Sequence, residues 1–415
     1  MALEEAMSKT TAKTNTYDVL IVGAGPVGLT LALSLVRFLA GIRVGIIDRR
    51  PISVPADKRA SSIAPGVRRA FEALDLWGQV AADAEPVTGM RITDSGEGDM
   101  ARPLFLAFEG GERGGPIAHM VPNTVLTAAL LQRLDGKAEL IAPVTITGFA
   151  AEAAGGALVL ADGPVLRAPL VVAADGANSA LRGLAGIKTF EHDYKQMGLV
   201  TTIGHELPHE GIAYEHFRPA GPFASLPLAG NSSSLVWTEG AEEAKRLLAL
   251  PADEAAAAIE AAMGSSLGAV TLEDRLQAFP LRLLIAHHFM APRLALIGDA
   301  AHVIHPVAGQ GLNLGLKDVA ALAELVIEAM RLGLDHGSAD LLARYQNWRR
   351  LDTALMAMVT DGMNRLFSND IAPVRALRDI GLGVVDRLPP VKDFLIARAA
   401  GSGMGAPRLM SGQAI

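Results

Sequence analysis

The chain alternates short, largely apolar runs with longer amphipathic ones. Tyr17–Val22 (YDVLIV) and Val44–Ile47 (VGII) are too short for helices and have the character of buried strands. Between them, Leu29–Ala40 has the length and period of a buried helix. Strand, helix and strand in this order predict a βαβ unit, hence a parallel sheet with a right-handed crossover. Val165–Ala173 (VLRAPLVVA) and Arg293–Ile297 (RLALI) predict further strands of that sheet. Pro65–Leu76, Thr124–Leu134 and Leu312–Leu332 predict helices. Residues 188–275 differ in texture, with scattered His, Pro, Gly and aromatics and short alternating runs such as Ser233–Thr238 (SSLVWT). They predict antiparallel strands of a second domain inserted into the first. Pro251–Met263, acidic and Ala-rich, predicts a surface helix. From Leu351 the chain reads as helical again, and a Gly/Ser/Pro-rich tail follows from Gly401. There is no internal repeat.

Val19–Val36 carries no charge over 18 residues, long enough for a spanning helix. Gly23, Gly25, Pro26 and Gly28 interrupt it, and a strand, a turn and a buried helix account for it. Residues 1–16 are polar, lack the apolar segment of a secretion signal, and read as a disordered tail. Half of the 415 residues are apolar and 20% are charged, the balance of a folded chain with more than one core. The net charge of −7 and the lack of a basic block set nucleic acid aside as a partner. The absence of cysteine removes disulfides, cysteine metal sites, cysteine-linked flavin and a dithiol redox pair. It is compatible with a cytoplasmic home.

GAGPVG at Gly23–Gly28 joins the first strand to its helix. Gly23 permits the tight turn, Gly25 lets backbone approach a pyrophosphate, and Gly28 lets helix and sheet pack closely. The helix N-terminus would offer free N–H groups and a favourable dipole to the phosphates. Asp48 ends the second strand, 20 residues after Gly28, where its carboxylate accepts from ribose hydroxyls and disfavours a 2′-phosphate. The order of these parts predicts a dinucleotide site without deciding between FAD and NAD. A plain βαβ turn with coincidental glycines is the alternative.

Two later motifs point to flavin. VVAADGANSALR (Val171–Arg182) ends a strand at Asp175-Gly176 and puts Asn178 and Ser179 before a helical turn. A capped strand-to-helix connection accounts for it as well as a cofactor contact does. LIGDAAHVIHPVAGQGLNLGLKD (Leu296–Asp318) is sharper. A strand ends in Gly298-Asp299, where Asp299 can bond ribityl hydroxyls. Pro306 and Gly309-Gln310-Gly311 then bend the chain into a helix near Leu312. The N–H groups and dipole of that turn would favour negative charge on a flavin's pyrimidine edge. His302 and His305 lie three apart with no third ligand nearby, so no metal site is expected. His302 reads as a capping or packing residue, His305 and Pro306 as pocket candidates, and Lys317 and Asp318 as solvated helix residues.

With these motifs the sequence resembles the flavoprotein aromatic hydroxylases and, within them, the ubiquinone-biosynthesis hydroxylases. GDAAHxxHPxxGQGLNLGxxD is matched from Gly298 to Asp318, and GPFASLPL (Gly221–Leu228), SSLVW (Ser233–Trp237) and TDGMNRLFS (Thr360–Ser368) are similar to that subfamily. The resemblance implies that Arg59 contacts the FAD and that Asn123 lies near the flavin, although Pro122 departs from the subfamily's Glu-Asn. It implies that Asp299 holds the ribityl chain and that Gly309–Asn313 (Gly309, Gln310, Gly311, Leu312, Asn313) lie along the isoalloxazine. The implied fold is α/β: a discontinuous Rossmann-like FAD-binding domain (17–80, 111–187 and 276–350), an inserted, mostly antiparallel β-sheet substrate domain (81–110 and 188–275), and a helical C-terminal region (351–415) with a flexible end. The implied activity is hydroxylation of a polyprenylated phenol or benzoquinol through a flavin hydroperoxide, with NADH or NADPH as donor and dioxygen as co-substrate. The cofactor carries that chemistry, so no catalytic side chain is named. Other quinone-biosynthesis proteins and peripheral contact with the inner face of a membrane are expected partners. Met356, Met358, Met363, Leu366 and Phe367 read as core packing, with an apolar docking face as the alternative. A prenyl reductase and a flavin-binding structural component of a biosynthetic assembly stay open. A halogenase is disfavoured, because Trp77, Trp237 and Trp348 do not form the Trp-x-Trp-x-Ile-Pro pattern.

Overall fold

The computed structural model describes residues 15–56, 58–94, 104–111, 114–306, 309–368 and 405–415. At its centre Val19–Val22 lies between Val44–Ile47 and Leu170–Ala173, all parallel and fully buried. Leu294–Leu296 and Glu139–Ile141 extend this sheet in parallel, and Met290–Ala291 closes one edge antiparallel. Pro26–Phe38 is the crossover helix of the expected βαβ unit. It packs on the long helix Gln310–Arg331, which starts two residues before the expected Leu312.

Val165–Ala173 is two strands rather than one. Pro169 has no N–H to give a ladder and ends the first, Val165–Ala168. That strand joins Asn15–Thr16, Gly156–Leu160 and Ile146–Ala151 in a separate four-stranded sheet, while Leu170–Ala173 enters the central one. The expected tail is corrected at its end, because Asn15 and Thr16 pair with Leu166 and Arg167; residues 1–14 lie outside the described residues.

The inserted domain is a nine-stranded sheet in which Thr189–His205, Ser232–Gly240, Gly221–Leu228 and Ile212–Arg218 run antiparallel in that spatial order. It reaches beyond the expected boundary at 275. Gln277–Ala286 pairs along Thr189–His205, from Val200↔Gln277 to Thr189↔Ala286, and His302–Val303 adds beyond it. The earlier segment divides: Gly89–Asp94 and Leu104–Glu109 join this sheet, whereas Glu85–Val87 pairs with Ala118–Pro122 beside Ala60–Ile63.

One face of the large sheet carries Leu199, Phe223, Leu235 and Trp237 and packs under the helices Ala241–Leu248 and Ala252–Met263. The second of these, expected as a surface helix, buries Ile259, Ala262 and Met263 there. The other face looks toward the three-stranded sheet and the last long helix. On it Ala213 packs with Val87, Ala118 and Met120, and Phe217 with Ile92 and Met363.

That last helix runs unbroken from Ala339 to Phe367, so the expected start at Leu351 falls inside it. Ser338 Oγ caps its first turn by accepting from the Leu341 N–H. Met356 is buried, while Met358 and Leu366 are exposed, so the expected core packing holds for only part of that set. The Phe367 side chain and residues 369–404 lie outside the described residues. The flexible end is corrected over 405–415. Leu409, Met410 and Ile415 are buried in the main core, Arg69 donates to the Met410 carbonyl, and Arg331 to that of Ile415. Among the described residues no helix is long and apolar enough to cross a membrane.

Candidate active site

The glycine turn is built by close backbone contact. Gly23 has φ +112°, and a Cβ there would lie 2.2 Å from the Ala174 carbonyl oxygen. A Cβ on Gly28 would lie 2.0 Å from the Gly23 carbonyl oxygen. Gly25 is different: nothing lies within 4 Å of a Cβ placed on it, and as N-cap of Pro26–Phe38 it receives no side-chain cap. The first N–H groups of that helix therefore face open space, the arrangement that accepts a phosphate. Asp48 fastens the turn, accepting from the N–H groups of Ala24 and Arg50, both at 2.9 Å. Its oxygens have lone pairs left for ribose hydroxyls.

Asp175 is brought against this turn but its carboxylate is used locally. It accepts from Ser179 Oγ at 2.5 Å and from the Leu181 N–H at 3.2 Å, as a helix cap does. The capped-connection reading of this motif therefore describes the side chain. Arg182, at the end of the same motif, is buried and donates to the carbonyls of Ala300 and Ala177, both at 2.9 Å. It ties this motif to the Gly298-Asp299 segment.

Gly298 has φ +58°, and its Cα lies 3.1 Å from where a Cβ on Gly315 would stand. Val27 packs against both positions. The three motifs thus meet at one junction between two helices. Asp299 is exposed to solvent on one side, with protein packed around the rest of it. That crowding holds its carboxyl above the ordinary range, against the pull of His302 and Arg282. Behind it, the fully buried Asp318 accepts from the Gly298 N–H at 3.0 Å, His302 Nε2 at 2.6 Å and Arg349 Nε at 2.7 Å. Burial alone would raise the Asp318 carboxyl, but His302 and Arg349 hold it below the usual carboxylate range. Asp318 and Lys317, expected to be solvated, are both buried, and Lys317 lies 3.8 Å from Asp352. A Lys-Asp pair set inside LNLGLKDVAALAELVI was the sequence signal, since charges in an apolar run need partners.

The Gly309 turn carries φ +61° and starts Gln310–Arg331, again with no side-chain cap. Nothing lies within 4 Å of a Cβ placed on Gly311. Asn313 is fully buried and its amide is committed to backbone. It donates to the Ser62 and Gly309 carbonyls and accepts from the Ala64 N–H. It anchors the turn on Ala60–Ile63 rather than presenting its side chain to a ligand. Arg59 and Asn123 come together at the end of that strand: the Asn123 N–H donates to the Arg59 carbonyl and Ser61 Oγ to Asn123 Oδ1. The Arg59 guanidinium stands 5.5 Å from the centre of the Phe279 ring.

His305 is fully buried, edge-on to Tyr194 at 5.1 Å, and neither ring nitrogen has a hydrogen-bond partner. Burial lowers its pKa to about 4, despite the nearby Asp361, so the ring is neutral. Tyr194 O–H donates to Asp361 at 3.0 Å. Pro306 is half-buried beside it. Among the described residues no group of His, Asp and Glu could hold a metal ion.

Two helix starts without side-chain caps, open space at Gly25 and Gly311, and the solvent-reached carboxyl of Asp299 next to their junction fit an extended anionic dinucleotide. The comparisons agree. A family model described as the FAD binding domain matches residues 16–359. The chain is 44% identical over 404 residues to ubiquinone hydroxylase UbiL of Rhodospirillum rubrum, covering 95% of this chain and 92% of that one. It is 34% identical to the 3-demethoxyubiquinol 3-hydroxylase of Escherichia coli, covering 92% and 98% of the two chains. The crystal structure of p-nitrophenol 4-monooxygenase PnpA from Pseudomonas putida superposes with a TM-score of 0.78 over 94% of this chain and all of that one; at 20% identity it shows the fold alone. The chain belongs to the FAD-binding flavoprotein hydroxylase family that includes the ubiquinone hydroxylases.

Proposed function

We propose that the protein is an FAD-dependent monooxygenase that hydroxylates the ring of a prenylated phenol or benzoquinol in ubiquinone biosynthesis. The observation that supports this is the junction where Val27, Gly298 and Gly315 meet, with open space at Gly25 and Gly311 and with Asp299 reached by solvent. FAD, when bound, supplies electron transfer from NADH or NADPH and the activation of dioxygen, which no side chain here can supply.

The chain's own residues bind, orient and exclude water. Gly25 and the helix behind it receive the pyrophosphate, and Asp48 the ribose. Asp299 accepts from the ribityl hydroxyls. The N–H groups at Gln310–Leu312, at an uncapped helix start, would hold the flavin ring and favour negative charge on it. Arg59 and Asn123 border the same site. His305 and Pro306 close it on the side of Tyr194. A buried, neutral imidazole against the Tyr194 ring keeps that side dry, which the chemistry requires. Leu351, Met358, Val359 and Leu366, exposed along the last helix, support peripheral contact with the cytoplasmic face of a membrane, the source of a long-tailed substrate.

Turnover of a short-chain prenylated phenol under ¹⁸O₂ tests the reading. We expect NAD(P)H-dependent product carrying one labelled oxygen. Unlabelled product rejects hydroxylation in favour of a reductase, and no NAD(P)H oxidation on any prenylated phenol favours a structural component.

A further inference from the structure

Along Ile212–Arg218 the face of the large sheet turned toward the three-stranded sheet is apolar except at one place. Ile212–Arg218 alternates, so Ala213, Glu215 and Phe217 project from the same face. Ala213 packs with Met120, and Phe217 with Ile92 and Met363, so Glu215 stands between two apolar clusters. Its cross-strand neighbours are Ile92 on one side and Ala224 on the other. Only 5% of its surface is exposed, and among the described residues its carboxylate has neither an ion-pair nor a hydrogen-bond partner.

This carboxylate adjoins the proposed FAD site through one strand. Ala60 packs into the cluster that holds Ala213. Two residues on, the Ser62 carbonyl receives Asn313, and a Cβ on Gly309 would lie 3.2 Å from Ser62 Cβ. Ala60–Ile63 therefore runs from the sheet face bearing Glu215 to the glycine turn of that site. Burial with no compensating partner pushes the Glu215 carboxyl up to about 7. A lone buried carboxylate costs stability and does nothing for the fold. Ligand pockets have this composition: an apolar wall with one polar group that fixes orientation.

We propose that Glu215 is a substrate-recognition residue whose carboxylate accepts a hydrogen bond from a ring hydroxyl of the phenol or quinol. This rests on the substrate class proposed above. The apolar clusters on either side of it receive the ring, and the carboxylate between them selects the edge that bears the hydroxyl.

The test is a binding titration of the FAD-loaded protein, followed by flavin absorbance, with a short-chain prenylated phenol and with its O-methyl ether. The ether fills the same space but cannot donate. The native protein is expected to prefer the phenol roughly 10- to 100-fold, the range for a hydrogen bond to a charged acceptor. Glu215→Leu is expected to lose that preference while binding the ether as the native protein does and melting no lower. Glu215→Gln, which keeps shape and a neutral acceptor, is expected to retain about a tenth of the preference, and it decides the matter if the Leu variant does not load FAD. Variants that keep the full native preference overturn the role of Glu215 and leave the substrate reading intact. A native protein that binds neither ligand overturns the substrate reading and the proposal with it.

Discussion

At the residue scale, the glycines of the first turn separate fold from function. Gly28 is held by sterics: a Cβ there would run into the Gly23 carbonyl at 2.0 Å. Gly25 has an ordinary φ of −77° and empty space around it, so only a ligand requires its lack of a side chain. Gly28→Ala should destabilise the apoprotein by roughly 1–3 kcal/mol. Gly25→Ala should leave apoprotein stability within about 0.5 kcal/mol yet weaken FAD about tenfold or more, some 1.4 kcal/mol. Urea unfolding of the apoproteins and FAD titration check both; a Gly25→Ala protein with native FAD affinity removes the pyrophosphate from this turn. His305 offers a pH test. Its folded pKa of about 4 lies below the ordinary value of 6.5, so between these values the unfolded chain holds the extra proton. The stability it contributes is therefore present above pH 6.5 and is lost as the pH falls toward 4. The groups facing it are Tyr194 and Asp361. Between pH 7 and 5 the native protein should lose roughly 2 kcal/mol that a His305→Phe variant does not lose. Equal losses in the two proteins, measured by urea unfolding at both pH values, would contradict the buried neutral ring.

At the scale of elements, the segment Gly298–Asp299 is positioned from two helices. Asp318 of Gln310–Arg331 takes the Gly298 N–H, and Arg349 of Ala339–Phe367 takes the other oxygen of the same carboxylate. Breaking a buried pair by removing one partner costs roughly 3–5 kcal/mol, less here to the extent that His302 stays on Asp318 and Asp352 on Arg349. Asp318→Asn and Arg349→Met should each cost on that order, and the double variant clearly less than their sum. Additive losses in urea unfolding would show that the two side chains act independently. The sequence named the helix and the motif but not this lock. Helical period places Asp318 on an apolar helix, and it cannot say that a helix 31 residues further on returns a cation to it. Val165–Ala173 shows a different case: it was expected as one strand, and Pro169, which has no N–H for the ladder, was the local signal that divides it.

At the scale of the whole molecule, the proposed FAD site draws on three stretches of chain at Gly23–Gly28, Gly298–Asp299 and Gly309–Asn313, whose helices and loop meet through Val27, Gly298 and Gly315. A ligand that spans them should stabilise the protein as a unit, by about 2.7 kcal/mol at a hundredfold excess over its Kd. FAD should raise the melting temperature of the apoprotein and protect amides in all three stretches from hydrogen exchange. Protection confined to the first stretch would mean that only the nucleotide half is bound. The sequence by itself determined the parts whose geometry is local: the glycine turn, the acid that ends the second strand, and the GQG turn with its helix start. Each follows from backbone sterics and unpaired N–H groups within a few residues. Tertiary structure decided the rest. It decided which buried charges meet, as at Asp318, His302 and Arg349, and which carboxylate is left alone, as at Glu215. Those outcomes depend on strand register and helix return over tens to hundreds of residues, where no local pattern carries the information. The glycine turns and the Gly298-Asp299 segment were thus legible as a string of motifs, and the sheet face that carries Glu215 was not.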